Sequence, residues 1–385
     1  NAPPRACAPP AMKRLPAWSG NALLLIVTLS LAVGLAEAAL RFTAPRATSI
    51  AAQDPYGLAL HYPGITRYLP NQDQTVTINS AGMRDEEHSR EKPDGTFRIL
   101  VLGDSFMEAL QVAAEASLPQ LLERELTRQA GRPVEVINAG VSGWGTDDGL
   151  RYLTEYGLDY EPDLIVVAMT LHNDVSDNLR EYWHTAADGQ LVDQQREPIP
   201  WFTYKTLQLK AFLAVRLQLV QLWRQVTHGR EMETISQDLN THVVQLFREP
   251  PPQRIDFGWE LTHLLFERMQ EVATGNSAQL AVVLLPLEYQ LSDEIFADFV
   301  RASGLRAGDL DQERPQRVMR ETATELGVQL IDLRPAFQQW TAEDRPGLYV
   351  IGDGHWNEAG HQLATEVVAR ELLASGAIGQ DREPN

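Results

Sequence analysis

From residue 97 onward the apolar positions of this chain group into short runs, separated by stretches of helix-forming composition. The runs are Ile99–Leu102, Val134–Asn138, Leu164–Met169, Leu280–Leu285 and Val328–Asp332. Continuous runs rich in branched side chains read as strands covered on both faces. The stretches between them predict helices over 106–129, 146–158, 259–274, 311–326 and 358–374. Gly131, just past the first of these, is a stop signal. Buried strands alternating with helices define an α/β fold, a parallel sheet with helices on both faces. Sites in such sheets form beyond the carboxyl ends of the strands.

Three other segments follow different patterns. Residues 1–20 are Pro/Ala-rich and read as a disordered leader, with Met12 as the expected start. An apolar run from Ala22 to Leu40 follows Lys13 and Arg14, and it has about the 20 residues a membrane span needs. The basic flank places the N-terminus inside and the remainder outside the cytoplasm. Segment 21–41 is therefore read as a transmembrane anchor or a signal segment. Its length favours the anchor, whereas a secretory cut would follow Ala36-Glu37-Ala38. Residues 42–96 read as a juxtamembrane segment with recurrent Pro and Gly, a strand at Thr75–Asn79 and turns at 79–85 and 91–95. Residues 180–258 interrupt the alternation. With a helix expected over Thr203–Val226 and a stiff Pro250-Pro251-Pro252 loop, this insertion reads as a helical cap. Its tryptophans, with Trp259 just beyond, line either a substrate groove or a core. The last residues, 376–385, read as a disordered tail.

Composition narrows the function. The net charge of −19, with no basic run, excludes a nucleic-acid binder. Cys7, the one cysteine, precedes the expected start, which excludes disulfides and cysteine-based zinc sites.

Four short motifs fall at strand ends. Gly103-Asp104-Ser105 follows the first central strand, placing Ser105 at a strand end and a helix start. The ordinary role of such a serine is an N-cap, but the free N–H groups there also favour developing negative charge. Asn138-Ala139-Gly140-Val141-Ser142-Gly143-Trp144-Gly145 follows the second strand; its glycines let backbone N–H groups approach a ligand. Thr170-Leu171-His172-Asn173-Asp174 follows the third, where the Asn173 amide is a candidate oxyanion donor. Gly352-Asp353-Gly354-His355-Trp356-Asn357 opens the last helix. A serine nucleophile needs a base, and the base needs an orienting carboxylate. Of nine histidines, His355 alone has an acid, Asp353, beside it in such a loop; His361 reads as a surface or packing residue.

The order and spacing of these motifs resemble the SGNH/GDSL hydrolase family, named for Ser, Gly, Asn and His in four blocks. The resemblance covers residues 97–375. It implies a flavodoxin-like three-layer α/β/α sandwich with a central parallel sheet. It also implies Ser105 as nucleophile, His355 as base and Asp353 as its orienting acid. The Ser105 N–H, Gly143 and Asn173 form the implied oxyanion hole, with Gly140 as the alternative glycine. Candidate substrate contacts are Asp104, His172, Trp144 and Trp356. Two departures stand out: Leu171 replaces a glycine two before Asn173, and Asp353 stands two rather than three before His355. The latter form resembles an envelope acetylation-related branch, to which alginate O-acetylation proteins belong; the N-terminal anchor and the Asn79-Ser80-x-Gly82-x-Arg84 turn look like membrane-anchored bacterial members. The expected function is ester hydrolysis or acyl transfer on O-acyl, chiefly O-acetyl, esters of saccharides, with the catalytic domain in the bacterial cell envelope. No metal or cofactor is expected. The rival is a non-catalytic, membrane-tethered carbohydrate-binding or assembly protein on the same fold. An α/β-hydrolase is disfavoured, since Ser105-Phe106-Met107 lacks the second glycine of Gly-x-Ser-x-Gly.

Overall fold

The computed structural model describes residues 50–69, 72–171, 173–179, 183–185, 190–193, 198–200, 243–343 and 346–378, together with 21, 24–25, 27–35 and 203. The chain divides into two units, residues 1–48 with 202–224, and residues 49–201 with 225–385. In the first unit, residues 27–35 are helical and Leu29, Leu31 and Leu35 are exposed. Among the described residues no helix is long and apolar enough to cross a membrane. The expected span over 21–41 is described only in part, and the expected helix over 203–226 lies almost wholly outside the described residues.

The second unit begins with two antiparallel hairpins, β1 (Ala51–Gln53) with β2 (Ala59–His61), and β3 (Thr66–Leu69) with β4 (Gln74–Thr77). The central strands follow as β5 (Phe97–Gly103), β6 (Val134–Asn138) and β7 (Leu164–Thr170). A small hairpin, β8 (Trp183–Thr185) with β9 (Leu191–Asp193), precedes β10 (Gln279–Leu285) and β11 (Gln329–Asp332). The five central strands form one sheet in the order β11-β10-β7-β5-β6, with every neighbouring pair parallel. Counted along the chain that order is 2-1-3-4-5, the doubly wound arrangement whose order reverses between β5 and β7. Register brings the two strand ends level there, Gly103 beside Ala168.

Alternation along β5 divides the core. Ile99 and Val101 pack with Leu122, Leu126, Val368 and Leu372 on one face. Leu100 and Leu102 pack with Leu153, Leu265 and Phe266 on the other. Both faces being covered explains the unbroken apolar run. The final helix, Glu358–Ala374, carries buried His361, whose Nδ1 accepts the Leu118 N–H at 3.2 Å. Burial pulls the His361 pKa down to about 3, so the ring is a neutral packing residue.

Four sequence expectations change. The helix over 106–129 is broken: a turn at Ser105–Glu108 ends with Ala109 in the left-handed region, and a separate helix spans Leu118–Ala130. Pro119 starts that second helix. Helices Asp293–Ser303 and Arg334–Ala342 are additional. The amphipathic helix expected over 259–274 begins earlier, as Gln253–Gly275. The end of the presumed cap is core, because Val243, Val244, Leu246 and Phe247 are all buried in the main cluster.

Segment 50–90 is tied into the sheet domain. Asn79, at the head of the Asn-Ser-x-Gly-x-Arg turn, accepts the Ala81 and Met83 N–H groups on its side-chain oxygen at 3.0 and 2.9 Å. Gly82 takes φ +86°, a conformation costly for any residue with a Cβ. The turn delivers buried Arg84 to the end of the nucleophile turn. There its guanidinium donates to the carbonyls of Glu108 and Val112, each at 2.7 Å, and to that of Ala109. These acceptors are left over where the helix stops.

Candidate active site

Ser105 opens the short helix after β5, and Asp104 is its N-cap, accepting the Phe106 N–H at 2.9 Å. The strand-to-helix turn is tight: a Cβ on Gly103 would lie 2.5 Å from Met107 Cγ. The Ser105 Oγ stands 2.7 Å from His355 Nε2. On the other side of the ring, His355 Nδ1 stands 2.5 Å from Asp353 Oδ1. An aspartate oxygen accepts, so Nδ1 donates to it and Nε2 is left to accept the serine proton. The relay is continuous from carboxylate to hydroxyl across 250 positions of sequence.

The base loop is built for this arrangement. Tyr349 and Trp356 pair as an antiparallel bridge, and the Val350 N–H donates to the His355 carbonyl at 2.8 Å. Gly352 and Gly354, at φ +76° and +84°, let the chain reverse within five residues. That reversal brings side chains two positions apart onto one side, the geometry behind the Asp-x-His spacing. The Tyr349 hydroxyl donates to the Pro286 carbonyl at 2.8 Å, tying the loop to the end of β10. Asn357 caps the final helix through the Ala359 and Gly360 N–H groups. Phe106 packs 5.0 Å from the His355 ring and 5.0 Å from Trp356, so the residue after Ser105 supports the His355 ring. Gln111 adds a hydrogen bond to Asp353 Oδ1 at 3.3 Å.

The other two loops also meet the nucleophile turn. The Asn138 side chain donates to the Met107 carbonyl at 2.8 Å and accepts the Gly140 N–H at 3.0 Å. A Cβ on Gly140 would lie 2.8 Å from the Glu108 nitrogen. Gly140 is therefore a close-packing glycine whose N–H is engaged. Gly143 takes φ +83° with open space where a Cβ would stand, and it is the glycine that the spacing of the four blocks names as the candidate oxyanion donor. Asn173 caps the turn Asp174–Asp177 at the end of β7 and donates through Nδ2 to Asp177 at 2.9 Å. That amide has a second N–H, and the side chain lies against Asp104.

Three candidate substrate contacts are corrected. Asp104, Trp144 and Trp356 are 2%, 1% and 0% exposed, so none faces a substrate. Trp144 is a clamp, its indole N–H donating to the Ala59 carbonyl at 2.8 Å. Trp356 is core beneath Phe106 and against Phe337. Trp259 is likewise buried, and His172, Trp201 and Trp223 lie outside the described residues. Sequence reading missed Glu108, His61, Arg84, Gln111 and Asp174. For Glu108 a signal existed: a carboxylate inside the apolar stretch Phe106–Leu110 needs buried donors.

Two carboxyls lie buried below the serine. Asp174 Oδ2 accepts the Thr170 N–H at 3.0 Å. Burial pushes the Asp104 carboxyl up to about 6, against the opposing pull of the Phe106 N–H and His355. Burial, then the Asp104 charge, pushes Asp174 well above the usual carboxylate range. Between about pH 4 and pH 6 the folded chain thus keeps the Asp104 proton that the unfolded chain has lost, so this group lowers stability as pH rises through that window. Asp104→Asn removes the effect while keeping the acceptor for Phe106. Urea unfolding of both proteins at pH 4 and pH 6 should show the variant gaining on the parent by on the order of 2 kcal/mol. A pH-independent difference would contradict the buried proton.

The sequence pattern of the GDSL-like lipase/acylhydrolase family matches residues 101–363, and the chain belongs to that family. The matched span includes Ser105, Gly143, Asn173, Asp353 and His355. An arylesterase from Vibrio mimicus is 38% identical over 72 residues, which are 19% of this chain and 36% of that protein. The match thus spans about a third of the length of that curated relative. Among solved structures, the lipase/acylhydrolase from Enterococcus faecalis is 14% identical over 75% of this chain and 100% of its own, with a TM-score of 0.39. Axe2, an acetylxylan esterase from Geobacillus stearothermophilus, is 14% identical over 74% of this chain and 97% of its own, also with a TM-score of 0.39.

Proposed function

We propose that this protein is a serine esterase or O-acyltransferase acting on O-acyl, chiefly O-acetyl, esters of saccharides. The observation that carries the reading is the unbroken Asp353–His355–Ser105 relay. Ser105 Oγ attacks the ester carbonyl as its proton passes to His355 Nε2. The oxyanion is held by the Ser105 and Gly143 N–H groups and by Asn173; one such donor is worth about 3 kcal/mol. His355 then returns the proton to the leaving alcohol. The acyl-enzyme is discharged to water or to a sugar hydroxyl. Family membership supports ester chemistry. The Asp-x-His spacing supports a saccharide substrate. The apolar run over 22–40, whose helical residues Leu29, Leu31 and Leu35 are exposed, supports a membrane tether with the catalytic domain in the bacterial envelope.

Mass spectrometry of the protein mixed with an acetylated oligosaccharide tests this. The expected result is an acetyl adduct on Ser105 that decays in water and decays faster when an acceptor sugar is added. An adduct indifferent to acceptor leaves hydrolysis alone. Saccharide binding with no adduct under any condition would sink the reading.

A further inference from the structure

The Glu108 carboxylate is buried three residues beyond Ser105, on the same helical turn, and 2% of it is exposed. Its Oε2 accepts the Ser142 N–H at 3.0 Å and also the Ser142 hydroxyl. Its Oε1 faces His61 Nε2 at 2.8 Å, and His61 is 3% exposed. The other ring nitrogen, Nδ1, stands 3.1 Å from the Gly82 carbonyl. A carbonyl can only accept, so Nδ1 donates to it. His61 is thus fixed at both nitrogens. Ser142 immediately precedes Gly143, the candidate oxyanion donor, and His61 ends β2, outside the residues matched by the family pattern.

We propose that Glu108 is a positioning residue that sets the distance between the nucleophile and the oxyanion loop, and that His61 holds it in that pose. The backbone of Glu108 moves with Ser105, since both belong to one turn whose Glu108 N–H donates to the Asp104 carbonyl at 3.0 Å. Its side chain reaches across to the loop after β6. One carboxylate therefore spans the two elements whose separation decides whether a developing oxyanion meets its donor. Misplacing a donor weakens the transition state more than the ground state. Segment 50–90 acts here as part of the catalytic unit, reaching the chemistry through His61 and through Arg84 on the same turn. This rests on the proposed role of Ser105 and Gly143.

The test pairs kinetics on an aryl acetate with hydrogen exchange. Glu108→Met keeps much of the stem's packing but offers no acceptor, breaking the links to Ser142 and His61 together. The expected result is a kcat about tenfold lower with KM changed less than about threefold, and slower labelling of Ser105 by a fluorophosphonate. His61→Ala should act in the same direction. His61→Gln, which restores a donor to Glu108, should return kcat to within about threefold of the parent. Amide exchange over 138–145 should rise in Glu108→Met with the sheet strands unchanged. A kcat within twofold of the parent, or exchange that rises evenly over the whole domain, would overturn the proposal. If the parent itself fails to label at Ser105 the esterase reading falls, and the exchange over 138–145 still decides whether Glu108 positions that loop.

Discussion

Ser105→Ala should lower aryl acetate turnover by about a thousandfold or more while leaving the urea midpoint and near-ultraviolet dichroism unchanged. The size follows from what the substitution removes. Oγ stands 2.7 Å from His355 Nε2 and is the atom there that can form a covalent bond to an acyl carbon. Without it the His355–Asp353 pair has no proton to accept, and catalysis falls to what the oxyanion donors give alone. Nothing in the fold depends on that atom. The cap of the short helix comes from Asp104, and the packing comes from Phe106 and Met107, which are 7% and 0% exposed. Turnover above about a tenth of the parent value would remove Ser105 as the nucleophile.

Arg84→Met should destabilise the second unit by about 3 kcal/mol or more, read as a fall in the urea midpoint. The methionine keeps much of the stem's packing but offers no donor. The carbonyls of Glu108 and Val112 lose their partner together, and that of Ala109 keeps the Val112 N–H at 3.3 Å, in a site where Arg84 is 3% exposed. Each buried acceptor left unpaired costs about 1 to 3 kcal/mol, and partial relaxation of the turn recovers some of it. Activity should fall along with stability, because those carbonyls cap the turn that presents Ser105. An unchanged midpoint would mean that water or a neighbouring donor replaces the guanidinium.

Arg84 also marks where sequence reading stops working. Strands β5, β7 and β10 are legible because a strand buried on both faces is apolar at nearly every position, and that is a local property; β6 and β11, at the sheet edges, show it less, with Glu135 and Gln329 half-buried. The Asp353–His355 pairing is legible for a similar reason, both residues lying on one tight loop. The break at Ala109 is different. Phe106 to Gln129 is good helix-forming sequence, and the chain leaves the helix where a cation from 25 positions upstream takes over the carbonyls. Ala109 then adopts the left-handed conformation without any local residue asking for it. Glu108 stands out in its apolar stretch, but nothing near it names its partner, because His61 lies 47 residues away with no motif around it. Trp144 and Trp356 were misplaced for the opposite reason. Beside catalytic motifs an aromatic ring suggests substrate contact, whereas both rings fill the space beneath the loops and hold them up.

The hairpin that carries Asp353 and His355 separates two demands usually placed on different parts of a chain. Where acid and base come from distant loops, every insertion between them endangers their alignment. Here one reversal of five residues sets that alignment by itself. The sixty or so positions between β10 and the hairpin can then lengthen, shorten or acquire new surfaces without retuning the proton relay. What remains to be kept is the way the hairpin meets Ser105, through the 2.7 Å contact of His355 Nε2.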